Sequence, residues 1–172
     1  MGIWMTLIIE KFKYEKLKRV EVNGKRRYAA PGGEPVASVT TILSGTKDMS
    51  HLIAWKKRVG EEIWGSEVPL YVPNIYAGTT DLVGVYKGNP CIMDFKQTNK
   101  PKKLEWVEDY FLQLTAYAIA HNEVHGTDIR EGHIFMCSRA GEYQQFDLWP
   151  DEFDEWEQEW WNRCTQYYEK NN

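Results

Sequence analysis

The chain has 172 residues, 42% of them hydrophobic and 27% charged, with eight tryptophans, three cysteines and a formal net charge of −4. That length supports one domain with a real core, and the aromatic content argues against disorder. The mean hydropathy is −0.58, and the apolar run at residues 3–9 is too short to span a bilayer and lacks a signal-peptide cleavage pattern. A soluble, non-exported, cytoplasmic protein with no membrane partner is expected.

Cys91, Cys137 and Cys164 lie far apart and form no Cys-x-x-Cys or Cys/His cluster. Neither zinc nor an iron–sulfur cluster is expected, and a reducing compartment fits. The net charge hides an asymmetry. Residues 1–60 carry twelve Lys/Arg against five acids, and residues 141–172 carry two against nine. The basic part is a candidate polyanion surface; the acidic tail reads as a solvated helix face.

In chain order, residues 17–22 and 25–28 flank Asn23-Gly24 and predict a tight hairpin. Residues 31–35 read as a loop, and residues 38–43 as a short helix capped by Ser38. Residues 50–62 place Leu52, Trp55 and Val59 at helical spacing behind a Ser50 cap. Residues 65–74, with two prolines, read as a linker. Two β-rich runs, 79–86 and 91–97, then flank the turn signal Lys87-Gly88-Asn89-Pro90. A basic loop follows, then a helix over 105–121, strands over 132–138 and 142–148, and an acidic, tryptophan-rich helix over 151–168. The order predicts an α/β domain, a mixed sheet with a crossover helix, preceded by a β-hairpin appendage at residues 1–35.

The 79–97 hairpin carries the chemistry. The expected register sets Tyr86 opposite Cys91, Val83 opposite Asp94 and Asp81 opposite Lys96. Side chains alternate along a strand and opposed residues share a face. Asp81, Asp94 and Lys96 then converge, with Leu82, Ile92 and Phe95 expected on the opposite face. Two acids this close call for a cation, and hard carboxylate oxygens suit Mg²⁺ or Mn²⁺. Lys96 can orient or deprotonate a water, or offset charge on a phosphate. A plain surface ion pair between Asp81 and Lys96 is the competing reading. Downstream, Lys100, Lys102 and Lys103 can neutralise phosphates and Trp106 can stack an unpaired base. Lys56, Lys57 and Arg58 form a second basic cluster. The four histidines have no partner at ligand spacing and read as structural.

Gly78-Thr-Thr-Asp81, Ile92-Met-Asp94-Phe-Lys96-Gln-Thr98 and Gln113-Leu-Thr-Ala-Tyr117 together resemble the PD-(D/E)XK nuclease signature in its RecB-like form. The run from Tyr76 through Lys103 is similar to the mitochondrial genome maintenance exonuclease family and its phage relatives. Residues 38–43, residues 55–62 and the closing helix fit the same family, so the resemblance spans the chain from about residue 36. It implies a restriction-endonuclease-like core in a single domain, 1–172, working as a monomer. It also implies a metal-dependent DNA exonuclease acting on single-stranded or free-ended DNA, in a cytoplasm or, for a phage protein, the host cytoplasm.

Carried across, the resemblance makes Asp81 and Asp94 metal ligands, with the Phe95 carbonyl a third. Lys96 becomes the catalytic lysine, and Gln113 and Tyr117 match the Gln-x-x-x-Tyr element, one helical turn apart. One departure stands out. Relatives carry a longer helical segment before the Gly-Thr-x-Asp strand, bearing a histidine or glutamate that completes the metal site. Here that segment is missing between about residues 62 and 68. Either the 50–62 helix moves into its place, with Glu61 or Glu62 as the acid ligand, or the site lacks that wall. In the second case a non-catalytic nucleic-acid-binding module results.

Overall fold

The computed structural model describes residues 17–29, 34–39 and 62–171. The expected helix over 50–62, apart from Glu62 itself, lies outside them, as do Lys56, Lys57 and Arg58. So does all but the first two residues of the helix expected over 38–43. The described elements run β1 (Lys18–Val22), β2 (Lys25–Ala29), β3 (Ala37–Ser38), β4 (Glu62–Val72), β5 (Tyr76–Tyr86) and β6 (Asn89–Thr98). A 3₁₀ turn (Leu104–Trp106) then leads to α1 (Glu108–His125), β7 (Glu131–Ser138), β8 (Tyr143–Leu148) and α2 (Phe153–Asn171).

The architecture is α/β: a mixed sheet flanked by two helices, with a separate two-stranded hairpin. β1 and β2 pair through Asn23-Gly24, whose φ values of 53° and 72° are those a type I′ turn demands. The hairpin is fastened to the rest of the protein. Tyr28 and Val36 exchange two backbone hydrogen bonds, and Arg27 Nη1 donates to the Tyr167 hydroxyl at 3.2 Å.

β4 corrects the linker expected over 65–74. It is an eleven-residue strand, antiparallel to β5 from Glu62↔Val85 to Val72↔Tyr76. Burial of Val68, Leu70 and Val72 draws it into the sheet, and Pro69 is tolerated because, among the described residues, β4 pairs only with β5 and so forms an edge. A bulge between Ile63 and Gly65 adds Trp64, and Glu67 takes a left-handed φ of 54°.

On its other side β5 is shared. Leu82 to Tyr86 pair with β6, while Tyr76 and Ala77 pair in parallel with the short β3. β6 then pairs in parallel with β7, and β7 antiparallel with β8. Thus β5 parts from β6 beyond Leu82↔Met93, midway along its length.

The β5–β6 turn also differs from the expected register. Lys87 and Gly88, with φ of 50° and 88°, form a two-residue turn that sets Tyr86 opposite Asn89 and Val83 opposite Ile92. Glycine at the second position supplies the left-handed backbone, so the turn sits earlier than Gly88-Asn89 and frees Pro90 to enter the strand. The displacement is two residues, so faces are kept but partners change: continued by one residue, the register sets Asp81 opposite Asp94, not Lys96. Ile92 lies on the Asp94 face, as alternation requires, and packs in the main core with Val83 and Ile134. Leu82, Met93, Phe95 and Phe135 form a smaller cluster on the other face.

The main core fills the space between the sheet and α1. That helix is buried on most of its circumference, because α2 covers its outer side. Phe111 packs on Trp156, with ring centroids 5.3 Å apart. Trp160 meets Tyr76 edge-on at 5.0 Å, and Tyr76 donates to the Ala116 carbonyl at 2.9 Å. α1 ends at Gly126, whose φ of 64° provides the left-handed C-cap.

Candidate active site

The site lies where β5 leaves β6. Past Leu82↔Met93 the Phe95 N–H has lost its β5 partner, and the Asp81 carboxylate takes it: Phe95 N donates to Asp81 Oδ2 at 2.9 Å. The gap in the ladder therefore draws one carboxylate toward the strand that carries the other. Phe95 is present through its backbone, while its ring is buried on the opposite face.

Asp94 and Lys96 follow two residues apart on the α1 side of β6, both buried. Lys96 Nζ lies 2.5 Å from Asp94 Oδ2, with side-chain exposures of 7% and 4%. The approach is that of an ion pair. Asp94 Oδ2 is buried, and the Lys96 ammonium is the group that meets it.

Burial pushes the Asp94 carboxyl up to about 6; the Lys96 ammonium pulls it down and the Asp81 charge adds to the rise. A buried carboxylate beside a second acid is what a divalent cation relieves. Asp81, Asp94 and the Phe95 backbone thus fit a hard cation in donor chemistry. Among the described residues, no group of three or more His, Cys, Asp or Glu side chains is arranged to hold a metal ion. Two carboxylates, Asp81 and Asp94, stand together here among the described residues.

α1 delivers the remaining groups. Lys96 Nζ donates to Gln113 Oε1 at 3.1 Å, and Gln113 Nε2 donates to the Tyr117 hydroxyl at 3.3 Å. Gln113 thereby links Lys96 to Tyr117 with both ends of its amide. Burial raises the Tyr117 phenol well above its ordinary value; the Gln113 hydrogen bond opposes this, and the charges of Asp94 and Asp81 reinforce it. The phenol is thereby held neutral where it meets the Gln113 amide. Gly78 lets the ring come this close: a Cβ there would sit 2.8 Å from Tyr117 Cε1 and 3.0 Å from its hydroxyl. The Gly-Thr-Thr-Asp run therefore serves Tyr117 at its first residue and the site at its last.

Asp81, Asp94, Lys96, Gln113 and Tyr117 come together as one connected group. Glu62 does not join them. It pairs with Val85, four residues along β5 from Asp81 and so about 13 Å away along the strand. Its Oε1 accepts a hydrogen bond from Trp64 Nε1 at 2.8 Å. Glu62 opens β4, away from the group, which corrects the ligand role expected for it; Glu61, the other acid expected there, lies outside the described residues. Lys100 and Lys103 are exposed and Lys102 is half-buried, on the loop after β6. Trp106 is 55% exposed in the 3₁₀ turn before α1.

Tyr110 is the residue the sequence reading passed over as an apolar helix position. Lys96 Nζ lies over its ring, 5.1 Å from the centroid, within cation–π range. Its place three residues before Gln113 and seven before Tyr117 was the available signal. Of the histidines, His133 gains a partner across the strand pair, its Nδ1 lying 2.8 Å from Asp147 Oδ1. It sits on the face opposite Asp94. His51 lies outside the described residues.

No family model matches the sequence, and no curated protein matches it. A solved structure titled "Crystal structure of SSO0001" aligns with 89% of this chain at 10% identity and a TM-score of 0.38. The alignment spans about half of that structure's chain (48%), and at this TM-score it carries no argument about fold or function. Among the described residues, no helix is long and apolar enough to cross a membrane.

Proposed function

We propose that the protein is a PD-(D/E)XK-type nuclease that hydrolyses phosphodiester bonds of DNA with Mg²⁺ or Mn²⁺, an exonuclease on single-stranded or free-ended strands. The observation that carries this reading is the junction of Asp81, Asp94 and Lys96 with Gln113 and Tyr117 at the split between β5 and β6. The strand order supports it too: an antiparallel β4-β5-β6 run, a crossover helix and a parallel β7. The exonuclease preference rests on the resemblance of the three motifs alone.

Asp81 and Asp94, with the Phe95 carbonyl, are the residues that would hold the cation. When bound, the cation would offset phosphate charge and lower the pKa of a coordinated water. Lys96 is placed to hold a hydroxyl nucleophile or a phosphate oxygen once its ammonium leaves Asp94 Oδ2. Gln113 keeps that ammonium within the site, and Tyr117 fixes the Gln113 amide. Burial of the group keeps bulk water from competing for Lys96.

Cleavage of end-labelled single-stranded DNA, with and without Mn²⁺ or Mg²⁺, tests the reading. Products that require the metal and vanish in Lys96→Ala and Asp94→Ala are expected; metal-independent products, or products that survive both substitutions, contradict it. A second reading, a non-catalytic nucleic-acid-binding module, is favoured by one observation: two carboxylates stand without a third acid among the described residues. DNA binding without cleavage under any divalent cation would select it.

A further inference from the structure

Large apolar side chains exposed together on one short, fixed segment are a cost unless something covers them. The 3₁₀ turn before α1 exposes two, Leu104 at 63% and Trp106 at 55%. Of the other described tryptophans, Trp64 and Trp160 are buried, Trp156 and Trp161 pack against the core, and Trp149 is 42% exposed.

The segment that presents this pair is firmly held. Gln144 clamps Lys102 from both sides, its Oε1 accepting from Lys102 N at 2.7 Å and its Nε2 donating to Lys102 O at 2.8 Å. Thr98 Oγ1 donates to the Lys100 carbonyl at 2.8 Å, and Arg139 N donates to the Thr98 carbonyl at 3.0 Å. The turn itself closes through Trp106 N to Lys103 O and Val107 N to Leu104 O, both 3.0 Å. Buried Val107 then anchors it to the core.

Position and charge identify what fits. Trp106 closes the 3₁₀ turn that leads into α1, four residues before Tyr110, whose ring faces Lys96 Nζ. Lys100, Lys102 and Lys103 precede it in the chain, and Lys103 Nζ lies 5.4 Å from the indole centroid and 3.8 Å from Glu105 Oε1. A flat, firmly held aromatic with a lysine against its ring matches a nucleotide: stacking for the base, lysine for a phosphate.

We propose that Trp106 is a stacking subsite for one unpaired nucleobase of the strand whose phosphodiester lies at Asp94 and Lys96, with Leu104 flanking the base. The inference rests on the nuclease reading and adds to it the residue that distinguishes an unpaired strand from a duplex, whose bases are already stacked on one another.

Fluorescence anisotropy without divalent cation, using a labelled oligothymidylate, the same strand with abasic positions, and a blunt duplex, tests it. Trp106→Ala is expected to weaken oligothymidylate binding about tenfold, with Trp106→Phe retaining most of the affinity. The alanine variant should leave the abasic strand and the duplex nearly unchanged. Equal weakening of all three probes, or no weakening of any, overturns the subsite while leaving the nuclease reading in place. If the wild-type protein binds none of the probes, the nuclease reading falls together with the subsite.

Discussion

The two ends of the β5–β6 hairpin are built from the same pair of strands and behave differently. At the turn end, Leu82 to Tyr86 run in unbroken register with Asn89 to Met93 through a type I′ turn, and their side chains pack in apolar clusters. At the open end the ladder stops, a backbone N–H is handed to Asp81, and the side chains are two acids and a lysine held by α1. Where backbone partners are complete, the strands are structural; where they part, polar groups gather that the backbone cannot satisfy.

Substitutions at the open end should abolish function first. Lys96→Ala is expected to lower cleavage by about 10²–10⁴-fold, the range for a positioned proton-transfer or charge-stabilising group. Single-turnover rates would check it, and a loss under tenfold would place Lys96 outside the chemistry.

At the closed end the same kind of change should instead cost stability. A Cβ on Gly84 would collide with the Glu62 carbonyl oxygen of the edge strand. Gly84→Ala is therefore expected to destabilise by about 1–3 kcal/mol or more, seen as a lower denaturant midpoint. Unchanged stability would mean that β4 does not lie against β5 as described.

pH separates the ends as well. The folded protein holds the Asp94 proton to about pH 6, whereas an ordinary aspartate releases it near 3.8. Its contribution to stability is present below about pH 4 and lost as the pH rises through about 6, roughly 3 kcal/mol for a two-unit shift. A cation that needs the carboxylate acts oppositely. Mn²⁺ at a hundred times its Kd should raise Tm by about 5–10 °C at pH 7.5 and by little at pH 5. A thermal shift independent of pH would contradict the assignment of Asp94.

Gln113→Ala, which leaves Asp81 and Asp94 in place and frees Lys96 and Tyr117, should lower the cleavage rate by about tenfold. Rescue by Gln113→Glu, which keeps the acceptor toward Lys96, would separate positioning from packing. The smallest effect belongs to the turn. Lys87 adopts a φ of 50° that asparagine tolerates better. Lys87→Asn should stabilise by a few tenths of a kcal/mol, without altering cleavage.

Much of the fold was legible. The Asn23-Gly24 hairpin, α1, β7, β8 and α2 follow from turn chemistry and hydrophobic period, with ends shifted by a few residues. β4 was not, because Pro69 and Gly65 read locally as a linker; the pull of Val68, Leu70 and Val72 into the core is a tertiary effect. The faces of Asp81, Asp94 and Lys96 were correctly read, since alternation survives a two-residue error in register, but the partner of Asp81 was not. That error came from the turn, where Lys87 accepts a conformation that its residue type disfavours. Tyr110 was missed because a tyrosine on an apolar helix reads as core, and the lysine above its ring comes from a strand fourteen residues earlier.

The most direct test of the open end as a cation site is Mn²⁺ binding, followed by electron paramagnetic resonance at pH 7.5 without nucleic acid. Wild-type protein should take up Mn²⁺ saturably, and Asp81→Asn and Asp94→Asn should each weaken that uptake by at least tenfold. Binding that is absent in the wild type, or unchanged in both variants, would contradict the account.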